Sequence, residues 1–140
     1  MVKEKIKNVF YRVLLLAIIV FFSYTMINKA TNMTAFTLNI AKTGIIPVFL
    51  IDFVAYSALL IELSCIVLLI FNEKRGIQLS LLMMVIFTSY IVVLFLNNRY
   101  EVCGCGGILN GLPFFPHLLI NIFIILTLIV LWLKNEKESC

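Results

Sequence analysis

Four long apolar runs, at about 9–27, 48–71, 78–96 and 117–133, leave this 140-residue chain few ways to fold. A helix crossing a hydrocarbon core of about 30 Å needs about 20 predominantly apolar residues. Lipid offers the backbone no hydrogen-bonding partners, so each run must satisfy its own amides as a helix. At that length per crossing the four runs take up about 80 residues, and the remainder suffices only for connections. The expected fold is an all-α membrane protein, a single four-transmembrane-helix bundle over residues 1–140. Hydrophobic residues make up 63% of the chain, against roughly 45–50% in soluble domains. That excludes a soluble enzyme and leaves no room for a separate nucleic-acid-binding module.

The first run follows a basic start, Met1-Val2-Lys3-Glu4-Lys5, as a signal peptide does. No small-x-small cleavage site follows, and Asn28 stands where a small residue is needed, so the run reads as a retained first span. Orientation follows the Lys and Arg residues. Of the 11, Lys3, Lys5, Lys7, Arg12, Lys74, Arg75, Lys134 and Lys137 fall on one side, and Lys29, Lys42 and Arg99 on the other. Both termini are expected in the cytoplasm, the chain being multi-pass in the inner (cytoplasmic) membrane. The net charge of +4 is then a consequence of topology and implies no nucleic-acid partner.

The connection at about 30–47 has a helical pattern, with Asn32 as cap, Phe36 and Ile40 sharing a face, and Gly44 and Pro47 as stop signals. It predicts a short amphipathic helix on the outer membrane surface. Asn72-Glu73-Lys74-Arg75-Gly76 is a short charged turn that makes spans two and three an antiparallel hairpin. The connection at 97–116 holds Gly104, Gly106, Gly107 and Gly111 together with Pro113 and Pro116. Ile108, Leu109, Leu112, Phe114 and Phe115 in the same stretch predict a loop folded back onto the bundle mouth.

Cys103 and Cys105 lie in that loop, on the oxidising outer face where a disulfide persists. Gly104 between them tolerates the contracted backbone that a ring across one residue requires. Such a ring is strained and easily reduced. A static bridge over one residue would constrain the unfolded chain weakly, so redox or metal use is the better-supported reading. Arg99 and Lys29, on the same side, can stabilise a thiolate or serve as interface anchors.

His117 and Asn121 stand at i, i+4 on the fourth span, just past Pro116, which suits a helix start. They face the same way near the outer mouth. His117 can carry a proton to or from a cysteine sulfur while Asn121 orients it; the plainer reading is an interfacial His and a helix–helix hydrogen bond. Glu62 sits inside the second span, where a carboxylate must face the interior and find a partner or a proton. It can exchange a proton with a lipid-soluble electron carrier, or bond to span three or four, for instance near Thr88. Asp52 reads as an interface charge. Cys65, one turn from Glu62, is roughly 20 Å or more from the cysteine loop at 1.5 Å per residue and reads as a packing residue. Cys140 ends a charged tail and reads as a reduced bystander.

Asn28-Lys29, Glu62-Leu63, Cys103-Gly104-Cys105-Gly106-Gly107 and Asn121 together resemble the MauE/DoxX superfamily of small four-helix membrane proteins, the methylamine-utilisation MauE branch most closely. The resemblance implies a redox-associated inner-membrane protein that works with a secreted or membrane-anchored thioredoxin-like partner in forming or rearranging disulfides. DoxX relatives include a membrane subunit linked to quinone reduction. The chain departs from the family pattern at Gly107, where an aromatic commonly follows the Cys-Gly-Cys-Gly run.

The expected function is a membrane thiol–disulfide redox protein, a thiol–disulfide oxidoreductase or a subunit of one. Cys103 and Cys105 exchange electrons with the thioredoxin-like partner, and His117 and Glu62 complete the catalytic set. Gly104, Asn121 and Lys29 are the candidates for cofactor contact, quinone being the cofactor such a role admits; no resident metal is expected. Two rivals stay open. In one, the two thiolates, His117 and Met33 form a soft site for Cu(I); in the other, the chain is a non-catalytic membrane scaffold for a redox partner.

Overall fold

The computed structural model describes residues 1–97 and 114–139. Its elements are α1 (Val2–Thr31), α2 (Met33–Thr43), a 3-10 turn (Val48–Leu50) leading into α3 (Ile51–Phe71), α4 (Glu73–Leu96) and α5 (Phe114–Ser139). Val2–Thr31, Val48–Phe71, Glu73–Leu96 and Phe115–Lys137 are each long and apolar enough to cross a membrane. The chain is a multi-pass membrane protein with an all-α bundle fold, as its apolar runs predict.

The long helices outrun the apolar stretches. α1 begins at Val2, not at 9; α4 begins at Glu73, not at 78; and α5 extends from Phe114 to Ser139, beyond 117–133. Hydropathy marks where lipid ends, whereas helical hydrogen bonding continues into the polar flanks. The charged turn accordingly shrinks to one residue. Asn72 closes α3 by donating its N–H to Leu68 O at 2.7 Å, and its Oδ1 accepts from Arg75 N at 3.4 Å to start α4. Gly76 then lies within α4, where a Cβ would overlap the backbone nitrogen of Leu69 and lie 2.7 Å from the Leu68 carbonyl carbon. Only a glycine lets the hairpin helices approach so closely.

α1 packs on α3 and α5, α3 on α4, and α4 on α5, closing a ring of four helices. Each helix turns a stripe of residues three and four apart to the interior, the spacing of left-handed bundle packing. On α1 the stripe is Tyr11, Leu15, Ile18, Phe22, Thr25 and Lys29; on α5 it is His117, Asn121, Ile124, Leu128 and Leu131. The main core joins Phe22, Leu69, Ile77 and Leu128 with Cys65, Met83 and Met84. The opposite face of α1, with Val9, Val13, Leu16 and Val20, is exposed and apolar, as a surface solvated by lipid must be.

Helix ends are tied at the terminal end of the bundle. Tyr11 Oη donates to Glu73 Oε2 at 2.9 Å, Arg12 pairs with Glu73 Oε1 at 3.1 Å, and Lys134 Nζ donates to Lys7 O at 2.9 Å. The start of α1, the α3–α4 turn and the end of α5 therefore share one end. This arrangement groups the same eight basic residues that the orientation argument placed together.

α2 forms where expected. Its C-terminus is closed by Gly44 in the left-handed region, φ 67°. Asn32 occupies the N-cap position but its side chain makes no capping bond; its N–H still bonds to Asn28 O at 3.2 Å, so α2 follows α1 through a one-residue break. Phe36 and Ile40 pack on Ile51 and Ala55 of α3. The shared apolar face is thus turned to protein.

Candidate functional site

The polar members of the interior stripes meet in one place. Lys29 Nζ of α1 lies 2.8 Å from Glu62 Oε1 of α3, with 5% and 2% of the two side chains exposed. Thr25 Oγ1 lies 3.2 Å from the same carboxylate oxygen and 3.0 Å from Phe22 O, its single proton serving one or the other. The Lys29 ammonium also sits over two rings, 4.9 Å from the centroid of Phe87 and 5.7 Å from that of Phe36. Charge pairing and ring contact together compensate a buried cation that would otherwise be strongly unfavourable in a membrane protein. Glu62 Oε2 is buried and finds no hydrogen-bond donor among the described residues.

This pair lines a cavity of about 210 Å³ that also reaches Thr25, Tyr90, His117 and Asn121. Its other walls are apolar, with the rings of Phe21, Phe22, Phe36 and Phe87 set among aliphatic side chains, Met83 and Met84. His117 and Asn121 are 1% and 4% exposed. The i, i+4 spacing does bring them to one face, and that face looks into the bundle instead of the interface. Pro116 precedes them within the first turn of α5, where a missing N–H removes no helical bond.

Glu62 faces the interior as its depth requires, yet its partner differs from the expected one. The acid bonds to α1, and Thr88 instead donates back to Met84 O at 2.7 Å. Lys29 is neither an interface anchor nor a surface charge; it is the counter-ion. Sequence reasoning also missed Thr25, Phe87 and Tyr90. The signal available was the stripe itself, since Thr25 and Lys29 continue the Tyr11-Leu15-Ile18-Phe22 spacing. Asp52 is exposed in the first turn of α3, where a negative charge suits the helix dipole.

Cys65 is a free, fully buried thiol whose Sγ lies 3.9 Å from Met83 Sδ, which agrees with a packing role. Met33 packs with the Phe36–Ile40 cluster and does not line the cavity with His117. Arg99, Cys103, Gly104, Cys105, Gly107 and Cys140 lie outside the described residues.

The arrangement can hold a hydrogen-bonded guest inside an apolar bundle: a Lys–Glu pair at one wall, an imidazole and an amide at another, and rings between. Comparison with curated proteins and with solved structures returns no match. The family profile of methylamine utilisation protein MauE, by contrast, matches residues 7–134. That stretch runs from the first turns of α1 nearly to the end of α5 and takes in Lys29, Glu62, His117 and Asn121. The chain belongs to the methylamine utilisation protein MauE family.

Proposed function

We propose that this chain is a membrane thiol–disulfide redox protein in which Cys103 and Cys105 exchange electrons with an extracytoplasmic thioredoxin-like partner. The observation that carries the reading is the shared cavity of His117 and Glu62. His117 lies in the first turn of the helix that follows the cysteine segment in the chain, and the cavity it shares with Glu62 continues from there into the bundle. In the exchange, a thiolate of the reduced protein attacks the disulfide of the oxidised one and expels a thiolate. The neighbouring cysteine then resolves the mixed disulfide. Two electrons pass between the proteins, and each thiol consumed or formed gives up or takes one proton.

Within this reading His117 carries protons at the cysteine side, Asn121 orients it, and Glu62, held by Lys29, serves the membrane side. A quinone dissolved in the bilayer accepts or supplies two electrons and two protons, the same quantities as a dithiol. Membership of the MauE family supports a place in a redox pathway.

The test is a trapping experiment in Cys105→Ala and Cys103→Ala cells. One of the two variants accumulates a reducible adduct with a thioredoxin-like protein that the wild type shows only in traces. Absence of any adduct in both, with cellular activity kept, overturns the reading.

A further inference from the structure

The unpartnered oxygen of Glu62 specifies what the cavity can hold. Lys29 Nζ occupies the first oxygen of Glu62 at 2.8 Å, and in that ion-paired form a carboxylate accepts hydrogen bonds and donates none. A buried acceptor left without a donor is unfavourable, and Oε2 has none among the described residues. A guest that completes the site must therefore donate a hydrogen bond. A second cation is redundant beside Lys29, and an anion is repelled by the acid. Besides Thr25, Tyr90, His117 and Asn121 the remaining walls are apolar, which favours a neutral molecule. Aromatic rings at Phe21, Phe22, Phe36 and Phe87 favour a flat ring packed edge or face against them.

Size agrees. A cavity of about 150 Å³ admits benzene, so one of about 210 Å³ admits a single six-membered ring with small substituents.

We propose that Glu62 Oε2 is the acceptor of a binding site for a neutral, single-ring phenol dissolved in the membrane, its hydroxyl donating to Oε2 and its ring lying among the phenylalanines. A hydroquinone is the phenol that also meets the redox reading above, but the site rests on the cavity and the orphan oxygen alone.

The test is titration calorimetry of the purified full chain in micelles, without oxygen, against trimethylhydroquinone and its dimethyl ether. The hydroquinone binds about tenfold tighter or more, the equivalent of one lost hydrogen bond. In Glu62→Gln an amide oxygen that faces Lys29 turns the amide N–H to the cavity, where it donates to a hydroxyl or an ether oxygen alike, so the preference for the hydroquinone is lost. Ala58→Phe, one turn before Glu62 on α3, fills the cavity and abolishes binding of both. If Glu62→Gln fails to fold, the ether comparison and Ala58→Phe decide alone. Equal binding of the two ligands, no binding to folded wild type, or binding unaffected by Ala58→Phe overturns the site. A thioredoxin-like adduct trapped while ring binding fails removes this site and leaves the disulfide reading standing.

Discussion

Lys29 and Glu62, 33 residues apart in sequence, form an ion pair of 2.8 Å inside the bundle. Removing one partner leaves the other charge buried and uncompensated, whereas removing both leaves only shape to be filled.

Stability should therefore be strongly non-additive at these positions. Lys29→Met is expected to destabilise by about 3–5 kcal/mol, and Lys29→Met/Glu62→Gln to recover most of that loss. Denaturant unfolding in mixed micelles of the two single variants and the double variant measures the coupling. Additive losses would mean that the pair contributes nothing as a pair.

Gly76 predicts a second effect, independent of charge. A Cβ there meets the backbone of Leu68 and Leu69, which cannot swing aside as a side chain can. Gly76→Ala should lower stability by about 1–3 kcal/mol, against the gain that alanine normally brings to a helix interior. An unchanged or raised unfolding midpoint would show that the hairpin can open at no cost.

Orientation gives a third expected outcome. With eight basic residues at the terminal end, an impermeant maleimide applied to intact, reduced cells should label Cys103 or Cys105 and leave Cys140 unlabelled until the membrane is broken. Labelling of Cys140 alone would invert the topology.

Much of this architecture is legible in the sequence for one physical reason: lipid forces long apolar runs into helices, and a carboxylate in such a run must turn inward. Glu62 is placed inside by that logic, and His117 and Asn121 on one face by their i, i+4 spacing. Lys29 is not, because a lysine near a span end reads as a headgroup anchor, and no local pattern ties it to an acid on another helix. Nearly uniform hydropathy also hides the interior stripe. In a soluble helix apolar residues mark the core, whereas here the polar ones do. The early start of α4 escaped notice because Asn72 acts through a cap, which hydropathy does not register.

The single-residue link at Asn72 fixes α3 and α4 as one hairpin, so Glu62 enters the bundle on that hairpin while its counter-ion arrives on α1. Apolar surface is much alike along both helices and would accept several relative heights. A slip of one turn, about 5.4 Å, separates Nζ from the carboxylate. The ion pair, together with the bonds of Tyr11 and Arg12 to Glu73, thus favours one register for the first helix, as buried polar residues do in coiled coils.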